Sequence, residues 1–308
     1  MKIAIMGAGG IGAYTGGRLA AAGQEVAFIA RGAHLAALRE TGLTIRSGRG
    51  DVHLPHVTAT ADPASIGVVD LVIFSVKLWD TESAAQAMRP MIGPQTLVVT
   101  FQNGIDSADL LARYMPREQV VRGAYYISAH VARPGVIDDA GVENRMLIEG
   151  LGGDARIAAF KAACEAATGL VCEIADPAVD FIWRKFVGLT AFSGVTALLR
   201  KPIGEVWAHP LTRGLLKDLV TETATIALAR GVHLPPDVAE VAFGQLGKIA
   251  PGAYASMAVD LLQGRRLELP WLSGRVHALG AELGIPTPAH TSVYRGLVLY
   301  EGGRHPSG

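Results

Sequence analysis

The stretch that decides the fold is Lys2-Ile3-Ala4-Ile5-Met6-Gly7-Ala8-Gly9-Gly10-Ile11-Gly12. An apolar run, a glycine-rich turn spaced G-x-G-x-x-G and a helical stretch follow one another in the order that a dinucleotide-binding unit requires. In such a unit the first glycine permits a tight turn, the second lets the backbone approach a pyrophosphate, and the third lets helix and strand pack closely. The N–H groups that begin the helix favour an anion. We therefore predict a pyrophosphate-binding turn in an α/β domain, the alternative being a glycine-rich turn that holds no ligand.

The end of the predicted second strand indicates which dinucleotide binds. Residues 25–30 form this strand, and Arg31 follows it, at the position where NAD enzymes place an acidic residue on the ribose 2′-hydroxyl. A guanidinium can bind a 2′-phosphate through paired charge-assisted hydrogen bonds, and Gly32 and Ala33 bring no carboxylate near enough to repel it. We predict NADP(H) as the cofactor, the alternative being that Arg31 is a solvated surface residue.

Length, charge and cysteine content limit the class of protein. The 308 residues suffice for two domains, because single cores stop growing near about 250–300 residues. Lys+Arg and Asp+Glu both number 28, so no net field attracts nucleic acid or an anionic membrane. Apolar stretches are interrupted before the ~18 residues that a membrane span needs. Cys164 and Cys172 match no metal or redox spacing, which predicts buried apolar roles, no metal and a reducing, cytoplasmic compartment.

Two polar residues follow predicted strands of one sheet. Residues 70–76 are continuously apolar, as in a strand buried on both faces of a parallel sheet, and Lys77 comes next. The strand predicted at 96–101 is likewise followed by Asn103. Ligands of open α/β sheets bind beyond the carboxyl ends of the strands, so Lys77 and Asn103 are candidate site residues. The alternative is that they form turns, as Asn103-Gly104 does in many proteins.

The pattern of the chain changes near residue 150. A flexible break at 149–154 precedes one more helix and strand over 156–174, and helical periodicity dominates afterwards. Residues 181–199 are apolar nearly all round, which predicts a helix buried in a second core. Further helices are expected at 212–230, 236–246, 254–263 and 270–283. We predict an NADP-binding domain over 1–174 and a helical substrate-binding and catalytic domain over 175–308.

Lys185 and Glu268 are candidate chemical groups in the helical half. Lys185 has apolar neighbours that would lower its pKa if the side chain pointed inward, and a desolvated lysine can act as a general acid near neutral pH. The alternative is a lysine whose stem lies along the helix with its head in water. Glu268 stands at a predicted helix start, where the dipole favours a carboxylate in any case.

These features together resemble the ketopantoate reductases, also called 2-dehydropantoate 2-reductases. The resemblance covers essentially the whole chain and rests on Gly7-Ala8-Gly9-Gly10-Ile11-Gly12, Ala30-Arg31-Gly32 with His34-Leu35, Ser75-Val76-Lys77, Gln102-Asn103-Gly104, Trp183-Arg184-Lys185, Ser256-Met257 and Glu268. It implies a Rossmann domain followed by an all-helical domain similar to that of 6-phosphogluconate dehydrogenase. It also implies NADPH-dependent reduction of a 2-keto acid, by default ketopantoate in pantothenate biosynthesis.

The resemblance also implies roles for single residues. Lys185 would donate the proton to the keto oxygen and hold the substrate, Asn103 would contact both nicotinamide and substrate, and Ser256 would bind the substrate carboxylate. Lys185, Asn103 and Glu268 would form the catalytic set. The expected cofactor-binding residues are Gly7, Ala8, Gly9, Gly10, Ile11, Gly12, Arg31, Lys77, Asn103, Ala129 and Glu268.

The chain departs from the family pattern where the substrate hydroxyl is recognised. The family usually reads Lys-x-x-x-Asn-x-x-x-Asn along the catalytic helix, and here Leu189 and Ser193 take the asparagine positions as expected substrate contacts. Ile203 replaces a third asparagine, and Pro270 and Trp271 replace an acid and a tyrosine. A site built for a substrate hydroxyl discriminates through polar groups that pair with that hydroxyl. In this chain, larger or more apolar side chains replace several of those groups.

Two other functions stay open at this point. One is a relative that acts on a more apolar 2-keto acid, as a D-2-hydroxyacid dehydrogenase. The other is a non-catalytic NADP-binding sensor, against which Lys185 and Glu268 argue, because a sensor needs no acid at its site. The sequence leaves the assembly state open, with a homodimer among the alternatives.

Overall fold

The computed structural model describes residues 1–139, 141 and 144–303. The chain divides into two compact units, Met1–Ala178 and Val179–Gly308. The sequence predicts this boundary between residues 174 and 175, and the last residues of the predicted second domain, 304–308, lie outside the described residues.

The first unit contains strands and helices in alternation, as its hydrophobic pattern predicts. The strands are β1 (Lys2–Met6), β2 (Glu25–Ile29), β3 (Leu43–Ser47), β4 (Val52–Leu54), β5 (Thr58–Thr60), β6 (Leu71–Phe74), β7 (Leu97–Thr100), β8 (Val120–Tyr126), β9 (Ala129–Arg133), β10 (Val136–Asp139), β11 (Arg145–Ile148) and β12 (Cys172–Ile174). The helices are α1 (Gly10–Ala21), α2 (Gly32–Glu40), α3 (Thr81–Ala87), α4 (Ser107–Leu111) and α5 (Ala155–Glu165).

The main sheet has the strand order β12-β11-β8-β7-β6-β1-β2-β5. The strands from β8 to β5 pair in parallel, while β11 runs antiparallel to β8. Ile3 and Ile5 of β1 enter one buried cluster, and Ala4 and Met6 enter another, so apolar side chains cover both faces. This burial explains why β1 and β6 are continuously apolar. The carboxyl ends of β1, β2, β6 and β7 therefore meet at one edge, and the predicted Rossmann fold is confirmed.

A second, four-stranded sheet has the order β4-β3-β10-β9 and was not predicted from the sequence. Strand β4 has three residues and β9 is exposed along most of its length, so neither has a clear hydrophobic alternation. Strand β10 joins the sheet by pairing in parallel with β3 and antiparallel with β9.

All regular elements of the second unit, within its described residues, are helical. They are α6 (Ala178–Leu199), α7 (Ile203–Ala208), α8 (Pro210–Ala229), α9 (Val238–Leu246), α10 (Ser256–Leu262), α11 (Ser273–Leu283) and α12 (Pro288–Leu297). The predicted all-helical domain is confirmed, although α7 and α12 were not expected. The helix predicted at 270–283 is instead a 3₁₀ turn, Leu269–Trp271, followed by α11.

None of the helices in the described part of the chain has the length and hydropathy of a membrane span. Over the same residues, no cluster of His, Cys, Asp and Glu could hold a metal ion. Cys164 and Cys172 are both buried and form no disulfide.

Candidate active site

The glycine turn between β1 and α1 is held by contacts that only glycine permits. Gly7 has a φ of +97°, in the region that favours glycine. Its carbonyl oxygen accepts a hydrogen bond of 2.8 Å from Ser75 Oγ, at the end of β6. A Cβ on Gly12 would lie 2.3 Å from that same carbonyl oxygen, so α1 can pack this closely only with glycine there. These contacts fix the turn at the carboxyl edge of the sheet.

The turn leaves space where a pyrophosphate needs it. A Cβ built on Gly9 would meet nothing within 4 Å, so this side of the turn is open. Gly9 is the N-cap of α1, and among the described residues no side chain caps the first N–H groups of the helix. A Cβ on Gly10 would lie 2.2 Å from the Ala129 carbonyl oxygen, which brings Ala129 against the turn. Open space and uncapped N–H groups at a helix N-terminus fit an anionic diphosphate.

Lys77 and Asn103 lie at the same edge of the sheet. Lys77 follows β6 and is exposed, with its Nζ 5.7 Å from the centroid of the Trp79 ring. Asn103 follows β7, is partly buried and precedes Gly104, whose φ is +87°. The structure thus brings the glycine turn, Lys77 and Asn103 to one edge of one sheet.

Gln102 connects the segments that present Lys77 and Asn103, and sequence reasoning assigned it no such role. The side chain is 8% exposed, and its Nε2 donates hydrogen bonds of 3.0 Å to the Val76 carbonyl oxygen and 2.9 Å to Thr81 Oγ1. A buried amide with these partners holds the end of β7 against the segment after β6. The only sequence signal for this role of Gln102 is its position between the end of a predicted strand and Asn103.

Arg31 has a partner that the sequence analysis did not expect. It is the N-cap residue of α2, and its side chain is 76% exposed. Its Nη2 donates a hydrogen bond of 2.8 Å to Asp80 Oδ2, so the expectation that no carboxylate lies near Arg31 is wrong. Asp80 lies 49 residues further along the chain. It reaches Arg31 because β6 and β2 flank β1, which brings the segments after their carboxyl ends to one edge.

Lys185 and Glu268 are electrostatically coupled within the helical unit. Desolvation by the protein around Lys185 lowers its pKa to about 8, and the Glu268 carboxylate acts in the opposite direction by raising it. Glu268 is 5% exposed and immediately precedes the Leu269–Trp271 turn. Lys185 is partly buried, so its head is not fully in water, and its lowered pKa favours the desolvated lysine of the two alternatives. An ammonium of this acidity is protonated at neutral pH and can donate its proton.

Lys185, Leu189 and Ser193 lie on one face of α6, because residues four apart along a helix are neighbours. Leu189 is partly buried. Ser193 is fully buried, and its Oγ has no hydrogen-bond partner among the described residues. Leaving a buried polar group unpaired costs about 1–3 kcal/mol, but a hydroxyl with no exposed surface cannot meet a substrate in this conformation, so the expectation that Ser193 contacts the substrate is not met by its position.

The remaining substrate-side positions differ in exposure. Ser256 is exposed and begins α10. Ile203 is 1% exposed at the start of α7, which makes it part of the core of the helical unit. Pro270 and Trp271 lie partly buried in the turn after Glu268.

Two family models match the chain. The model of ketopantoate reductase PanE/ApbA matches residues 3–152, and that of ketopantoate reductase PanE/ApbA C terminal matches residues 179–301. The chain belongs to the ketopantoate reductase family. It is accordingly an oxidoreductase acting on CH–OH groups with a nicotinamide cofactor.

Individual relatives agree with this assignment over nearly the full chain. The uncharacterized oxidoreductase YkpB of Bacillus subtilis is 28% identical over 303 residues, covering 98% of this chain and 99% of the relative. A 2-dehydropantoate 2-reductase of Halobacterium salinarum is 30% identical over 291 residues, covering 94% and 95%. The crystal structure of a PanE/ApbA family ketopantoate reductase from Ralstonia eutropha JMP134 superimposes with a TM-score of 0.89 at 36% identity, covering 98% of each chain.

Proposed function

We propose that this ketopantoate reductase family member uses NADPH to reduce a 2-keto acid to the 2-hydroxy acid, by default as a 2-dehydropantoate 2-reductase that converts ketopantoate to pantoate. The observation that carries the proposal is Lys185 on helix α6, an ammonium whose pKa desolvation lowers to about 8 and which the Glu268 carboxylate keeps charged. A binding module without chemistry needs no such group. The family resemblance assigns the proton-donating role to the same residue.

Lys185 would both stabilise charge and deliver a proton. Reduction of a keto group places negative charge on its oxygen, which a fixed cation stabilises. A general acid works best with a pKa near the operating pH, and the pKa of Lys185 is about 8. Glu268 raises this pKa against the effect of burial, and so keeps the ammonium charged until it donates. NADPH supplies the hydride when it is bound.

The preference for NADP(H) is part of the proposal. The glycine turn and the start of α1 would take the pyrophosphate, and Arg31 would bind the 2′-phosphate with its exposed guanidinium. Lys77, Asn103, Ala129 and Glu268 would provide the other contacts by family resemblance. The position of Ala129 against the open glycine turn supports its inclusion.

Leu189 favours a second candidate substrate, an unhydroxylated apolar 2-keto acid reduced by a D-2-hydroxyacid dehydrogenase. It brings an apolar side chain to the α6 face that includes Lys185. Ser193 on that face is fully buried, whereas Leu189 is partly exposed and can meet a substrate. Ser256, exposed at the start of α10, would bind the carboxylate common to both candidates.

The test is NADPH oxidation by the purified protein with a panel of 2-keto acids that includes ketopantoate and 2-ketoisovalerate. The corresponding carboxylic acids without the 2-keto group serve as controls, because they lack the C2 carbonyl that accepts hydride. We expect turnover with at least one branched 2-keto acid. Tight NADPH binding without oxidation by any member of the panel would contradict the proposal and favour the non-catalytic sensor.

A further inference from the structure

The Asp80 carboxylate is directed to Arg31 and not to its own helix. Asp80 is the N-cap residue of α3, a position where aspartate commonly accepts a hydrogen bond from the first turn, yet among the described residues its side chain makes no capping bond. Its Oδ2 instead accepts the hydrogen bond of 2.8 Å from Arg31 Nη2. The side chain of Asp80 is 30% exposed, against 76% for Arg31, so the carboxylate is the more fixed member of the pair.

The pair combines two groups that dinucleotide enzymes normally use separately. An acidic residue near the end of the second strand accepts from the ribose 2′-hydroxyl of NAD, and an arginine there accommodates the 2′-phosphate of NADP. This chain has the arginine at the end of β2 and an acid delivered from the segment after β6. Both groups therefore lie at the ribose end of the proposed cofactor site.

We propose that Asp80 is a specificity residue that narrows the preference of this enzyme for NADPH over NADH. The inference rests on the proposed function, in which Arg31 binds the 2′-phosphate. A dianionic phosphate at Arg31 must displace the Asp80 carboxylate or share the guanidinium with it at the cost of like-charge repulsion. A neutral ribose 2′-hydroxyl meets no such repulsion and can donate a hydrogen bond to Asp80 while Arg31 keeps its ion pair.

The size of the effect follows from the exposure of the pair. Exposed ion pairs contribute little to the free energy, so having to displace Asp80 weakens NADPH binding only modestly, by about fivefold or less. The amide oxygen of asparagine still accepts from the 2′-hydroxyl, but a hydrogen bond to a neutral group is weaker than one to a carboxylate, so NADH binding weakens by about fivefold. The Asp80→Asn substitution should therefore tighten NADPH binding, weaken NADH binding, and raise the ratio Kd(NADH)/Kd(NADPH) by about five- to twenty-fivefold.

The experiment measures Kd for NADPH and NADH by calorimetry, without keto acid, for the wild type and Asp80→Asn. Adenosine 2′,5′-bisphosphate and 5′-AMP are titrated in parallel, because they carry only the adenosine end of each cofactor. Glu173→Gln is the matched control: it removes the exposed ion pair between Arg145 of β11 and Glu173 of β12, strands that lie far from β2 in the sheet order. Thermal unfolding of each variant verifies the fold.

We expect the ratio Kd(NADH)/Kd(NADPH) to rise in Asp80→Asn and to stay at the wild-type value in Glu173→Gln. A ratio within twofold of the wild type, or equal weakening of both cofactors, would overturn the role of Asp80 while leaving the reductase proposal intact. Failure of the wild-type protein to bind either dinucleotide would instead overturn the proposed function, and the inference with it.

Discussion

Glu268→Gln should move the basic limb of the pH–rate profile to lower pH. Burial lowers the pKa of Lys185 to about 8, and this value includes the upward effect of the Glu268 carboxylate. Glutamine keeps the size of the side chain and removes its charge, so the Lys185 pKa must fall below about 8 in the variant. Lysine donates only while protonated, and kcat/KM therefore declines as the pH rises through this pKa.

The size of this shift in pH follows from the charge of Glu268 and the desolvation of Lys185. An opposite charge within about 4–6 Å typically shifts a pKa by roughly 1–3 units, and each unit changes the protonated fraction up to tenfold above the pKa. We therefore expect the midpoint of the decline near about pH 8 in the wild type and at least about one unit lower in Glu268→Gln. At about pH 8 the variant should retain about a fifth of the wild-type fraction of protonated lysine, or less.

The assay is kcat/KM for the keto acid against pH at saturating NADPH, because this ratio reports the pKa of Lys185 before the keto acid binds. Glu205→Gln is the control, because Glu205 is an exposed carboxylate of the same unit that pairs with Lys201 at 2.8 Å. Its profile should coincide with that of the wild type. A Glu268→Gln profile that stays in place, or moves to higher pH, would refute the coupling between Glu268 and Lys185.

Three further predictions concern the cofactor, the substrate and the stability of the helical unit. The wild type should bind NADPH more tightly than NADH, and Arg31→Asp should abolish or reverse this preference; a preference retained in the variant would exclude Arg31 as the phosphate ligand. With Leu189 and Ser193 in place of asparagines, 2-ketoisovalerate should match or exceed ketopantoate in kcat/KM. The hydroxyl of ketopantoate would be left unpaired, which costs about 1–3 kcal/mol, and 2-ketoisovalerate has no such hydroxyl. A preference of about a hundredfold or more for ketopantoate would contradict this. Burial lowers the pKa of His290 from 6.5 to about 4. As the pH falls, the unfolded state therefore takes up the proton before the folded state does. Up to about 3 kcal/mol of the free energy of unfolding should be lost between about pH 6.5 and pH 4. Denaturant unfolding at several pH values measures this loss, and an unfolding free energy that is constant over the range would be the contrary result.

The sheet edge with the glycine turn, Lys77 and Asn103 could be predicted because each of these features follows a strand that is recognisable from its local sequence. The glycines of the turn stand beside a continuously apolar strand, and the turn, the strand and the start of α1 lie within residues 2–12. The same holds for Lys77 and Asn103, each of which lies three residues after the end of an apolar strand. Strand order in a parallel sheet then brings their segments to one edge without further information.

The parts that escaped prediction depend on contacts between distant segments. Asp80 lies 49 residues from Arg31, and only the positions of β6 and β2 on either side of β1 bring the two together. The short strands of the second sheet have no hydrophobic period long enough to detect. For Lys185, periodicity could not decide between burial and a solvated head, because that choice depends on which side chains of other helices surround it.

Single-turnover hydride transfer in Lys185→Ala tests the central claim most directly. NADPH oxidation by excess 2-keto acid is followed by stopped flow, with NADPH binding measured separately in the same variant. Lys217→Ala is the control, since Lys217 is an exposed lysine of α8 that pairs with Glu240 at 3.0 Å. We expect Lys185→Ala to bind NADPH nearly as the wild type does and to transfer hydride roughly 10²–10⁴ times more slowly, while Lys217→Ala keeps the wild-type rate. An unchanged rate in Lys185→Ala would contradict its role as the proton donor.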